Sequence, residues 1–210
     1  DVVLAIGTEL SGNDTYNDQF SLPGKLIRID IDPAEFDQRY RTAVAIRSDA
    51  GLAAEALLNA VGPMADERDG AERADSYRNA DFFGFLPDLE PRHMTVLKQI
   101  EAALPEDGIV VGDMTQVIYT AIAKLTLPQR GRFLYPSGYG TLGYALPAAT
   151  GAKIGAPDRA VLAVAGDSGF LYTAPEMAVA ADLGLNLVAL VWNNRALGQI
   201  RDDMVNRGIQ

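Results

Sequence analysis

Short apolar runs without polar alternation recur along this chain, and they limit its fold more than any other feature. Val2–Gly7, Leu26–Asp32 and Val44–Asp49 are continuous and β-branched. A strand with one wet face alternates polar and apolar side chains, so a run without alternation reads as a parallel strand covered on both faces. Ala50–Val61 (AGLAAEALLNAV) follows with helical spacing. Further on, Thr95–Leu104 reads as a helix, Gly108–Gly112 (GIVVG) as a strand, Gln116–Leu125 as a helix and Arg132–Tyr135 as a short strand. Leu142–Ile154 is a small-residue helix, Ala160–Ala165 (AVLAVA) a buried strand, Ala174–Leu183 a helix and Asn186–Trp192 (NLVALVW) a strand, with Gly198–Asn206 beginning one more element. Such alternation predicts α/β architecture: parallel sheets, right-handed crossovers, and ligands at the carboxyl ends of strands.

Residues 62–93 (GPMADERDGAERADSYRNADFFGFLPDLEPRH) break the pattern, being charged, punctuated by Pro and Gly, and poor in strand formers. They read as a linker, with Phe82-Phe83-Gly84-Phe85 pinning it to a neighbouring surface. The expected organisation is therefore 1–61, a linker 62–93, and 94–210. A net charge of −10 argues against a nucleic-acid partner, because neutralising phosphates needs clustered Lys and Arg. The chain has no cysteine, which removes disulfides and thiolate metal sites and fits a cytoplasmic protein. No run approaches the roughly 20 apolar residues of a membrane span. Because the sequence opens in mid-strand without Met or a leader, its first residue reads as a cut rather than a natural start.

Chemistry concentrates in the second half. Gly166-Asp167-Ser168-Gly169 follows the strand AVLAVA directly. Small residues let the backbone turn sharply and expose N–H groups to a phosphate, and Asp167 offers a carboxylate at a strand end. A Gly-Asp turn alone is commonplace. Asn193 and Asn194 end the next strand, one helix and one strand further on. A right-handed crossover would bring these two strand ends side by side. The Asp167 carboxylate and Asn194 amide oxygen would then share one octahedral cation, with phosphate oxygens completing the shell, as magnesium favours. The alternative for Asn194 is an Asx turn that caps the following helix.

The span GDSGFLYTAPEMAVAADLGLNLVALVWNN resembles the signature of thiamine diphosphate enzymes acting on 2-oxo acids, which begins GDG and ends NN. The resemblance implies that Asp167 and Asn194 ligate magnesium, with the main-chain oxygen of Ala196 as a third protein ligand. Ser168 departs from the family's usual Gly; it is small and can add a phosphate hydrogen bond. Ser137–Ala149 resembles the family's segment beneath the cofactor's central atoms. That likeness implies that the Gly140 carbonyl accepts from the aminopyrimidine and that Leu142 wedges between the rings, keeping the cofactor bent. The implied cofactor-binding set also takes in Thr115, Gln116, Thr141, Gly166, Ser168, Gly169, Leu197 and Gly198. The first 61 residues resemble the later half of the family's Rossmann-like central domain, and 94–210 its pyrophosphate-binding domain. Asp32 would be the contact to FAD, which some relatives bind, although a strand-ending Asp-Pro turn accounts for it more simply.

The resemblance further implies a fragment. The cofactor-activating glutamate belongs to an amino-terminal domain that nothing here resembles, and the sequence stops at Gln210 before the sheet would finish. By itself the 210-residue chain is therefore expected to be inactive, with no catalytic residue of its own. The intact protein is expected to decarboxylate a 2-oxo acid and transfer the resulting carbanion to a second oxo acid, as acetolactate synthases do. The alternatives are a simple 2-oxo acid decarboxylase of the 5-guanidino-2-oxopentanoate type, which the segments 3–32 and 192–209 also resemble, and a non-catalytic cofactor-binding or assembly subunit. A homodimer or homotetramer is implied.

Three further features carry rival readings. Gly138-Tyr139-Gly140-Thr141-Leu142-Gly143 is literally G-x-G-x-x-G, which mimics a nicotinamide-dinucleotide site, but the preceding strand is poor and the paired asparagines would have no task. Arg201, Asp202 and Asp203 follow the asparagines closely and would contact a charged substrate tail or form a solvated helix face. His93, the chain's single histidine, sits at a helix start and reads as solvated.

Overall fold

The computed structural model describes residues 2–11, 21–37, 39–62, 90–127 and 132–209, with residues 72, 75 and 76. It forms two compact units, Asp1–Gly70 and Ala71–Gln210. Most of the expected linker, with its Phe82–Phe85 cluster, lies outside the described residues.

In the first unit, strands β1 (Val2–Ile6), β2 (Lys25–Asp30) and β3 (Val44–Arg47) form a parallel sheet in the order β1-β2-β3. Helix α1 (Ala50–Val61) begins where Asp49 caps the amides of Gly51 and Leu52. Coverage of both faces holds only for the central strand, where Leu26, Arg28 and Ile29 are buried. Val2, Leu4 and Val44 are exposed, correcting the expectation for β1 and β3. The physical reason is position: these are edge strands, and α1 is the one long helix described beside them. Asp32 closes β2 by accepting the Ala34 amide at 2.9 Å, which is the simple turn reading.

The second unit begins with α2 (Glu90–Ala103), followed by β4 (Ile109–Gly112), α3 (Gln116–Lys124) and β5 (Phe133–Leu134). Next come α4 (Ala145–Gly155), β6 (Val161–Gly166), α5 (Asp167–Thr173), α6 (Glu176–Asp182), β7 (Val188–Trp192) and α7 (Gly198–Asn206). The sheet is parallel throughout, in the order β5-β4-β6-β7. Here β4 and β6 do what a non-alternating run predicts, whereas Val188 and Val191 of the edge strand β7 are exposed. Ile109, Val111, Ala163 and Ala165 pack on Ala145, Leu146 and Ala149 of α4. Val110 and Val164 face the other way, onto Leu97 and Ile100 of α2 and Val117, Ile118 and Ala121 of α3. Successive strand residues point to opposite faces, so two helix layers demand apolar residues at every position.

Three boundaries differ from expectation. Helix α2 starts five residues before Thr95, because Pro91 fits a first helical turn whose amides lack partners anyway. Helix α4 starts at Ala145 rather than Leu142, because Gly143 holds φ 86°, outside helical space. Asp167 opens a helix, α5, straight from β6, where only a tight turn was expected; Pro175 then separates α5 from α6.

Candidate functional site

The register places the carboxyl ends of three strands in one row. Gly112 pairs with Val164, and Gly166 pairs with Trp192. The residues just beyond, Asp113, Asp167, Asn193 and Asn194, therefore share one rim of the sheet. A cleft of about 190 Å³ opens there, entirely within the second unit. Its walls include Thr115, Gln116, Gly140, Leu142, Gly166, Asp167, Ser168, Gly169, Asn194, Ala196, Leu197 and Gly198. Four separated segments thus converge; the spacing suggested this for Asp167 and Asn194, and the family resemblance implied it for the other two. Of the residues singled out from sequence, Thr141 stands apart: it is exposed, and its hydroxyl reaches only the Leu142 carbonyl at 3.4 Å.

Local chemistry sets each part. Asp167 Oδ1 accepts the Ser168 amide at 2.9 Å. Asn193 and Asn194 form successive Asx turns, accepting the amides of Arg195 at 2.9 Å and Ala196 at 3.0 Å. Arg195, which follows them, takes φ 57°, a left-handed conformation that an L residue adopts at a cost. An Asx turn at Asn194 is therefore present, but it does not cap α7, which Leu197 precedes without a side-chain cap. It leaves Asn194 Oδ1 a second lone pair, so it does not compete with a cation. Gln116 is buried; its Oε1 accepts from Asn194 Nδ2 at 3.2 Å, while its Nε2 donates to Asp202 Oδ2 at 3.0 Å.

Sequence reasoning missed Asp113. Its carboxylate is 1% exposed and accepts the Gly143 amide at 2.8 and 3.1 Å and the Met114 amide at 2.9 Å. Burial pushes its carboxyl pKa up, while the amides of Gly143, Met114 and Tyr144 pull it down. The Gly143 carbonyl in turn accepts from Thr173 Oγ1 at 3.0 Å. Asp113 and Thr173 thus clamp one residue's amide and carbonyl, fixing the loop that carries Gly140 and Leu142. The same clamp weighs against the dinucleotide reading, since the third glycine's amide already serves Asp113. Met114, Tyr119, Gln199 and Ile200 also line the cleft without having been singled out for it. Burial first, then the charges of Asp203 and Asp113, hold the Tyr119 phenol above its usual pKa.

Two expectations change. His93 is fully buried, not solvated: its Nδ1 lies 2.7 Å from Thr120 Oγ1 and its ring meets Trp192 edge-on at 5.1 Å. Helix α2 begins earlier than expected, so His93 belongs to its first turn and faces the sheet. Arg201, Asp202 and Asp203 are also sorted. Arg201 pairs with Asp202 at 3.0 Å, Asp202 holds Gln116, and Asp203 alone lines the cleft.

Residues 111–209 match the family model "Thiamine pyrophosphate enzyme, C-terminal TPP binding domain", and residues 1–57 match "Thiamine pyrophosphate enzyme, central domain". The chain belongs to the thiamine pyrophosphate enzymes. Within that family it is 46% identical, over its whole length, to the probable 2-ketoarginine decarboxylase AruI of Pseudomonas aeruginosa. It is 31% identical, over 95% of its length, to a probable acetolactate synthase large subunit of Methanocaldococcus jannaschii. It spans 38% and 36% of those two proteins, respectively. A solved thiamine diphosphate-dependent 4-hydroxybenzoylformate decarboxylase from Rhodococcus jostii RHA1 shares the fold, with a TM-score of 0.72 at 24% identity. All of this chain and 39% of that one superpose.

The residues fit the family's cofactor. Gly140 has φ 63° and no side chain, which allows a close backbone approach, and Leu142 is half-buried on the cleft wall. A carboxylate and an amide oxygen meet at one rim, the hard-oxygen donors that magnesium favours. Among the described residues no cluster of three His, Cys, Asp or Glu could hold a metal, so a cation here would rely on Asp167 together with neutral oxygens. No described helix is long and apolar enough to cross a membrane.

Proposed function

We propose that the protein to which this chain belongs decarboxylates a 2-oxo acid, using thiamine diphosphate held through magnesium. The convergence of Asp167 and Asn194 on one cleft, at adjacent strand ends, carries this reading. Magnesium would be held by the Asp167 carboxylate, the Asn194 amide oxygen and the Ala196 carbonyl. The diphosphate would meet the Gly166–Gly169 turn, Thr115, Gln116 and the start of α7. Leu142 would keep the cofactor bent, and Gly140 would receive its aminopyrimidine. When bound, thiamine diphosphate supplies the electron sink that lets carbon dioxide leave.

Sequence alone put transfer to a second oxo acid first. We now put simple decarboxylation first, because identity to the AruI protein exceeds that to an acetolactate synthase subunit, 46% against 31%. A 2-oxo acid with a cationic tail, such as 5-guanidino-2-oxopentanoate, is then the substrate, and the assembly is a homodimer or homotetramer. The test incubates the intact protein with magnesium, thiamine diphosphate and either this acid or pyruvate. Carbon dioxide with an aldehyde from the guanidino acid is expected. Acetolactate from pyruvate would restore the transferase reading, and no turnover of either acid would remove both.

A further inference from the structure

Asn194 is held by a chain of amides whose polarity is set at both ends. At one end the Ala196 amide can only donate, so it must meet Asn194 Oδ1, at 3.0 Å. Asn194 Nδ2 is thereby turned toward Gln116, whose oxygen must face it, at 3.2 Å. Gln116 Nε2 is then left pointing at Asp202, where an ionised carboxylate can only accept, at 3.0 Å. Reversing any single amide would set donor against donor or acceptor against acceptor.

A second observation concerns the wall behind this chain. A Cβ placed on Gly198 would stand 2.5 Å from Asn194 Nδ2 and 3.0 Å from Gln116 Oε1. Glycine at the first position of α7 is what lets the two amides meet. Gln116 itself is only 3% exposed, so it has little room to retreat.

We propose that Asp202, acting through Gln116, is a positioning residue that fixes the flip of Asn194 and so presents its amide oxygen to the cation. The proposal rests on the magnesium reading above and adds to it a residue of α7 that does not itself line the cleft. It also gives Gln116 a task other than the diphosphate contact implied by family resemblance. Partners that orient metal ligands typically change metal affinity by about 10- to 100-fold when removed. Asp202 acts one amide further away, so the low end applies. Without its acceptor, Gln116 is free to flip, and Asn194 then loses either Gln116 or Ala196.

The test measures Mn2+ binding to the intact protein by electron paramagnetic resonance, in the presence of thiamine diphosphate, beside urea unfolding without ligands. Asp202→Ala should weaken Mn2+ by about tenfold. Asp202→Asn keeps an acceptor oxygen for Gln116 and should stay close to the unsubstituted protein. Gly198→Ala removes no polar group, yet should weaken Mn2+ as Asp202→Ala does. Unchanged Mn2+ affinity in folded Asp202→Ala would overturn the positioning role while leaving the cation site standing. Equal weakening in both Asp202 variants would overturn it too, since charge rather than orientation would be at work. Failure of the unsubstituted protein to bind Mn2+ would remove the cation site and this proposal with it.

Discussion

Acidification should expose the cost of burying His93. The ring is fully buried and meets Thr120 and Trp192, and burial lowers its pKa from 6.5 to about 4. Between those values the unfolded chain carries a proton on this ring that the folded chain does not. Stability therefore rises with pH through that window and falls on acidification. The full span corresponds to about 3 kcal/mol, with about 2 kcal/mol lost by pH 5. Asp113 acts in the opposite sense, because its raised pKa makes the folded state the better proton acceptor as pH falls. The comparison must therefore be between variants. Urea midpoints of the untagged chain at pH 7.5 and pH 5 should differ far more than those of His93→Asn, whose side chain does not titrate. As the chain has one histidine, a single imidazole resonance reports the same titration directly. Parallel pH slopes in the two proteins, or a resonance that titrates near 6.5, would refute the reasoning.

The remaining predictions concern the cleft. Asp113→Ala leaves the buried Gly143 amide and the part-buried Met114 amide without an acceptor and should cost at least roughly 1–3 kcal/mol in urea unfolding, the cost of one orphaned buried group. Gly169→Ala should also destabilise, since its Cβ would stand 2.4 Å from Asp113 Oδ2; thermal melts compared with Gly151→Ala, where nothing lies within 4 Å, check this. Leu142→Ala should lower turnover of the intact protein far more than its melting temperature, because the side chain is only half-buried and lines the cleft. A stability loss of about 2–5 kcal/mol with normal turnover would make it an ordinary core leucine.

Much of the fold was legible because a short apolar run without alternation fits little besides a strand between two covering layers, and α1 follows its sequence pattern from Ala50 to Val61. The convergence of Asp167 and Asn194 was legible because neighbouring parallel strands joined by a helical crossover end side by side. The misreadings were tertiary. A buried Asp113 has no periodic signature, because its partner Gly143 lies 30 residues away. Met114 and Tyr119 flank Gln116 at a helix start, and that spacing was the available signal for them. His93 was misread because it ends the charged stretch 62–93, which reads as a linker rather than as the start of a helix. The two edge strands looked covered because a run of apolar residues does not reveal its place in the sheet.

The central claim is that Asp167 and Asn194 anchor a magnesium-diphosphate group. Titration calorimetry of the intact protein with thiamine diphosphate and magnesium, repeated on Asp167→Ala, tests it most directly. Binding by the unsubstituted protein and a loss of at least about tenfold in the variant are expected. Undiminished cofactor affinity in a folded Asp167→Ala protein would contradict it.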